Sequence, residues 1–180
     1  MSNNAKIYFI SGKARHGKDT LASYLKGFYE EDGYKVITIS YASYLKDYAK
    51  KISSWDGKDE TKPRALLQRL GNLIRVDLNK SNMLIDRLND DILIYSCFFD
   101  AIIVTDVRLK IEILGIKKMY KDAISVHVVR PNFDNGLTSL QKKDKTEVDL
   151  DDYNDYDYNI INTTFDELKK QVYEMYVKER

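Results

Sequence analysis

The 180-residue sequence contains one cysteine, Cys97, and two histidines, His16 and His127. A lone thiol excludes an internal disulfide and any multi-cysteine metal site, so Cys97 is expected to pack as a small buried hydrophobe. Two histidines argue against a histidine-based metal centre. No apolar run approaches the length needed to cross a bilayer. The opening Met1-Ser2-Asn3-Asn4 lacks the basic-then-apolar pattern of a secretory signal, and the expected location is the cytoplasm, with no membrane partner. Excess charge of one sign is also missing: 29 Lys and Arg face 28 Asp and Glu, for a net charge of +1. Without a global basic field, no nucleic-acid polymer is expected as a partner.

What is present is the alternation of an α/β protein. The length suits one substantial core, so residues 1–180 are expected to form a single domain. Ile7 to Ile10 reads as a strand, and Leu21, Tyr24, Leu25 and Phe28 recur at helical spacing after it. Lys35 to Ser40 alternates as a second strand, Ala42 to Ile52 is helical, and Ser53 to Lys62 is a polar loop. Pro63 suits the first turn of a helix running to about Asn79. Met83 to Phe99 reads as helix then loop, Lys110 to Tyr120 as a helix and Ser125 to Val129 as a strand. Ala101 to Thr105 is the most apolar strand, expected to be central and buried on both faces. The polar stretch 131–149 has no period and reads as a mobile loop. Tyr158 to Ile161 is a last strand, and Thr164 with Glu167 gives a capping-box start to a closing helix.

The strongest motif is Gly12-Lys13-Ala14-Arg15-His16-Gly17-Lys18-Asp19-Thr20, which follows a strand and opens a helix. In that setting the G-x-x-x-x-G-K spacing is a phosphate-binding loop. Its glycines let consecutive N–H groups turn inward, the helix N-terminus adds positive potential, and Lys18 reaches the terminal phosphates of ATP. Arg15 and His16 are expected to shape the exposed side of the loop. Asp19 stands where a standard loop has Ser or Thr, and Thr20 follows. Kinases of the adenylate kinase type displace the threonine in the same way. That points to a small-molecule kinase with ATP and Mg²⁺, in which Thr20 and Asp106 touch the metal through water.

An acceptor side is also legible. On a helix from Pro63, residues Leu66, Leu67, Leu70, Leu73, Ile74 and Leu78 share one face, while Arg64, Gln68 and Arg75 fall within about 40° of each other opposite. Such a row suits a phosphate and a base edge, and it equally suits a solvated helix face. Asp106 and Arg108 end the most apolar strand and alternate to one side, where open α/β sheets bind ligands. A structural ion pair is the other reading. Lys142, Lys143 and Lys145 make 131–149 a candidate lid that closes over phosphates and excludes water.

With these pieces the sequence resembles the phage and bacterial deoxynucleoside monophosphate kinases of the P-loop class. The matching pieces are Ser11-Gly12 through Gly17-Lys18-Asp19-Thr20, Leu66 to Gly71 through Arg75, Thr105-Asp106-Val107-Arg108 with Glu112, and Thr146-Glu147 through Leu150-Asp151-Asp152-Tyr153, Asp157-Tyr158 and Asn162. The resemblance implies an adenylate-kinase-like, three-layer fold with a five-stranded parallel sheet and a short lid. It also implies ATP with Mg²⁺, acceptor contacts near Arg75 and Arg108, and, for a phage chain, the host cytoplasm.

The reaction expected from the residues is transfer of the γ-phosphate of ATP to a (deoxy)nucleoside monophosphate. Lys18 and Asp106 are the candidate catalytic residues, with Arg130 as a transition-state contact. Arg64, Gln68, Arg75 and Arg108 are assigned to the acceptor. The partners are then small nucleotides, and a homodimer is left open. A phosphorylated non-nucleotide acceptor, of the phosphomevalonate kind, is the second reading. An ATP-binding protein without transfer activity is the third.

Overall fold

The computed structural model describes residues 5–180. Five strands form one all-parallel sheet: β1 (Lys6–Ser11), β2 (Val36–Ser40), β3 (Ala101–Val107), β4 (Ile124–Val129) and β5 (Tyr158–Ile161), in the order β2-β3-β1-β4-β5. The helices are α1 (Lys18–Glu31), α2 (Tyr41–Ile52), α3 (Arg64–Asn72), α4 (Met83–Tyr95), α5 (Lys110–Met119), α6 (Ser139–Lys142), α7 (Lys145–Val148) and α8 (Phe165–Glu179). Parallel strands need crossovers, and the helices cover both faces of the sheet. This is the three-layer α/β arrangement expected from the alternation. Among the described residues, no helix is long and apolar enough to cross a membrane.

Side-chain alternation divides the core into two halves. Tyr8, Ile10, Ile103, Val126 and Val128 pack with α1 and α8 through Leu21, Leu25, Leu168 and Val172. Ile7, Phe9, Ile102 and Val104 face the other way, onto Leu88, Ile92, Ile113 and Ile116 of α4 and α5. β3 is buried on both faces as its composition requires, although the middle place in the sheet belongs to β1. A third, smaller cluster of Ala49, Trp55 and Leu70 ties the 53–62 loop to α2 and α3.

Several local expectations are revised. Cys97 is exposed, in the turn after α4, with its thiol donating to the Leu93 carbonyl. The helix from Pro63 does not continue regularly. After α3 it passes into a π-helical turn over Leu73–Asp77, where Leu78 N–H reaches back to the Leu73 carbonyl. The extra residue in that turn rotates everything beyond it. Leu70 and Ile74 stay buried, but Leu73 and Leu78 are 39% and 55% exposed, so the single leucine face drawn from a straight helix breaks there. The 131–149 stretch contains the two short helices α6 and α7. Thr164 caps α8 by accepting from the Glu167 N–H.

Ile103 is fully buried between β1, β2 and the α1–α8 layer. Ile103→Ala should therefore cost about 3 kcal/mol, read as a lowered urea midpoint with an unchanged m-value.

Candidate active site

The loop between β1 and α1 sits where the two central strands end. Gly12 has φ +142° and Gly17 has φ +104°, conformations that L side chains rarely adopt. Space forbids a side chain as well: a Cβ on Gly12 would lie 2.5 Å from the Val128 carbonyl oxygen, and one on Gly17 would lie 2.4 Å from Asn162 Nδ2. Both glycines are therefore dictated by close approach as much as by the turn. Asn162 Nδ2 donates to the His16 carbonyl at 2.9 Å, and the Arg130 N–H donates to His16 Nδ1 at 3.1 Å. His16 is thus buried and braces the loop from inside, correcting its assignment to the exposed side. Burial, with Lys18 and Lys13 adding to it, holds the His16 imidazolium below the ordinary range. Arg15 does lie outside, at φ +62°, with its guanidinium on the Asn135 carbonyl.

Lys18 is only 5% exposed and folds back onto its own loop, donating to the carbonyls of Gly12 at 2.8 Å and Lys13 at 2.9 Å. Burial and the Arg108 charge press its ammonium down to about 8, against the pull of Asp106 at 3.8 Å. Asp106 is itself unusual: a non-glycine residue at φ +61°, held in the left-handed region at the end of β3. That twist aims its carboxylate between Lys18 and Arg108, whose Nη2 lies 3.3 Å away. Burial works against the charged form, but Arg108 and Lys18, with Lys46 and Lys62 farther off, outweigh it and keep Asp106 below the usual carboxylate range. Arg108 continues the chain to Glu147 at 2.5 Å.

The other side of Asp106 and Arg108 opens into a cleft. Arg64, Gln68 and Arg75 all line it, and they are joined by Lys62, Tyr41 and Glu112. The structure therefore gathers every residue of the expected acceptor row at one place, beside the phosphate loop. Arg75 lies in the π-helical turn, folded over Gly71, where an added Cβ would meet its guanidinium nitrogens at 3.0 and 3.1 Å. Arg130 lies elsewhere. It is exposed after β4, its guanidinium 4.1 Å from the Phe133 ring centroid and outside the cleft lining. Asp19 is exposed and Thr20 half-buried at the start of α1.

Sequence reasoning left two residues unassigned. Glu147 belonged to the family resemblance with no role, and only tertiary docking of α7 brings it to the loop. Glu112, named in the same way, is buried and accepts from the N–H groups of Arg108 at 2.7 Å and Leu109 at 3.0 Å. Its place three residues after Leu109, at the entry to α5, was the available signal.

No protein-family model and no curated protein matches the sequence. Among solved structures, the chain is similar to APS kinase CysC of Mycobacterium tuberculosis in complex with AMPPNP and APS. Sequence identity is 14% and the TM-score 0.56, over 97% of this chain and 98% of that one. It is also similar to shikimate kinase of Aquifex aeolicus, at 13% identity and a TM-score of 0.50, over 95% of both chains. At these identities the likeness is one of fold: a five-stranded parallel sheet with helices, in the architecture of the P-loop kinases.

Glu112 gives the site a measurable pH signature. Burial raises its carboxyl from the ordinary 4.5 to about 7, against the two N–H donors and the charges of Arg75 and Arg108. A carboxyl raised on folding adds stability that is complete below its unfolded value and lost as pH rises through the folded one. Relative to Glu112→Gln, the wild-type protein should lose stability between pH 4.5 and about 7 and then level off. Parallel urea midpoints for the two proteins across that window would mean that Glu112 titrates normally.

Proposed function

We propose that the protein transfers the γ-phosphoryl group of ATP to a (deoxy)nucleoside monophosphate, giving the diphosphate. The observation that carries this reading is the continuous run from Lys18 through Asp106 to Arg108, which joins the phosphate loop to a cleft lined by Arg64, Gln68 and Arg75. The fold is shared with a kinase whose structure contains AMPPNP and APS. One side of the run suits a triphosphate, and the other suits a phosphate carried by a second substrate.

In-line phosphoryl transfer asks little covalent chemistry of a protein, and positioning with charge neutralisation supplies most of the acceleration. Lys18 exchanges its hold on the Gly12 and Lys13 carbonyls for oxygens of the transferring group. The loop N–H groups take the β-phosphate. Arg108 and Arg75 grip the acceptor phosphate bidentately, with Arg64 adding a third positive charge, while Gln68 meets the edge of the base. Asp106, held ionised between two cations, keeps Arg108 and Lys18 at fixed separation. The Asp106 carboxylate and the Thr20 hydroxyl are the groups that would hold the water shell of Mg²⁺. Bound there, the ion would spread the negative charge of the β- and γ-phosphates. Arg130 would have to leave the Phe133 ring to reach the phosphoryl group.

A second reading has its own support. Among the described residues lining the cleft, Tyr41 is the one aromatic, and it is only 3% exposed. A thin stacking surface suits a phosphorylated acceptor without a base. A coupled ADP-release screen over nucleoside monophosphates and phosphorylated metabolites separates the two readings. Turnover with a metabolite and none with any nucleotide would replace the first by the second.

Two variants test the assignment of residues. Lys18→Met keeps the apolar stem and removes the charge, so turnover should fall by about 10²–10³-fold in a protein that still unfolds cooperatively. Turnover within a few-fold of wild type would remove the loop lysine from the mechanism. Arg75→Ala should raise the acceptor KM by about 10–100-fold, the loss of one charge-assisted contact, with ATP affinity nearly constant. Weakened ATP binding with an unchanged acceptor KM would mean that Arg75 belongs to the donor side.

A further inference from the structure

The phosphate loop already holds an anion, and it comes from the chain itself. Glu147 Oε2 accepts the Ala14 N–H at 3.2 Å, a backbone amide of the loop between Gly12 and Gly17. Its other oxygen, Oε1, accepts from Arg108 Nη1 at 2.5 Å. The side chain is only 9% exposed. A carboxylate bridging a loop amide and a guanidinium has the charge and the two-oxygen span of one edge of a phosphate. Glu147 also borders the acceptor cleft and both hollows that flank the loop beside Lys13, so it stands where these spaces meet.

The residues around Glu147 form an acidic strap. Asp151 pairs with Lys13 at 2.8 Å, and Asp152 with Lys110 at 2.6 Å. Asp149 accepts the Lys110 N–H at the start of α5. The Asp151 and Lys13 side chains are about half exposed, at 49% and 45%, so that pair holds the strap only weakly. The Glu147 contacts are the shielded ones.

We propose that Glu147 is an internal phosphate surrogate that plugs the loop, so that a nucleoside triphosphate enters by displacing it and the strap 145–152 releases with it. The proposal rests on the reading that the loop binds ATP. Plugged and open forms then compete, and the apparent affinity for ATP is reduced by the open fraction. The same displacement frees Arg108 from Glu147, so filling the loop makes a phosphate-gripping arginine available to the acceptor cleft.

Metal-free ATP is the probe, titrated calorimetrically into the wild type, Glu147→Gln and Asp151→Asn. The amide introduced by Glu147→Gln has nearly the shape of the carboxylate but presents no anion to Arg108. Glu147→Gln should bind ATP about tenfold more tightly, and Asp151→Asn up to about threefold, in line with its exposed ion pair. Amide exchange over 145–152 in the wild type should speed up on adding ATP alone. Wild-type binding that is not tightened in Glu147→Gln, or strap exchange slowed by ATP, would overturn the plug and leave the ATP site standing. Failure of all three proteins to bind ATP would remove the ATP reading itself, and the plug with it.

Discussion

The parallel pairing of β1 with β3 is the constraint on which the site depends, because its register sets Ser11 opposite Val107. One strand ends in the glycine loop and the other in Asp106 and Arg108, so the pairing places the loop lysine beside a carboxylate from a distant part of the sequence. The register shifts between Phe9 and Ser11, where the two chains leave regular pairing. Asp106 takes up the left-handed conformation in the same region. Strained backbone at this point is what a site needing one carboxylate between two cations would require.

Electrostatics follow from that placement. Lys18, Asp106, Arg108 and Glu147 form an alternating line of charges with little access to water. Removing charges from water is costly unless each has a partner, and here each cation lies against an anion. The line is balanced while the loop holds Glu147. A phosphate that takes the place of Glu147 keeps the balance, so the carboxylate and the nucleotide are alternative anions for one set of donors. Glu112 lies just outside this line, buried in the cleft lining, and that burial raises its carboxyl.

How much was legible can be judged from particular residues. Gly12, Gly17 and Lys18 were readable because the phosphate loop is local: strand, turn and helix occupy adjacent positions, and their spacing carries the geometry. The row of Arg64, Gln68 and Arg75 was readable from helical period, and all three residues do line one cleft. The apolar face failed at Leu73 and Leu78, because a π-helical turn over Leu73–Asp77 adds a residue that no apolar pattern reveals. Cys97 was misjudged because a thiol carries no signal of its side, and the turn after α4 leaves it in water. His16 was misjudged because its partners, Asn162 and the Arg130 N–H, lie more than a hundred residues away.

The sequence by itself determined the alternation of strands and helices, the loop that follows the first strand, and the apolar strand that carries Asp106 and Arg108. These features depend on short-range spacing, which the chain states directly. Only the tertiary structure decided that Arg64, Gln68 and Arg75 line one cleft with Asp106 and Arg108, and that Glu147 closes onto Ala14 from 133 residues away. Those contacts depend on strand order and on how α7 docks. The reason is physical: a carboxylate in a polar segment is stabilised equally well by water, until the fold presents a buried amide and a guanidinium together.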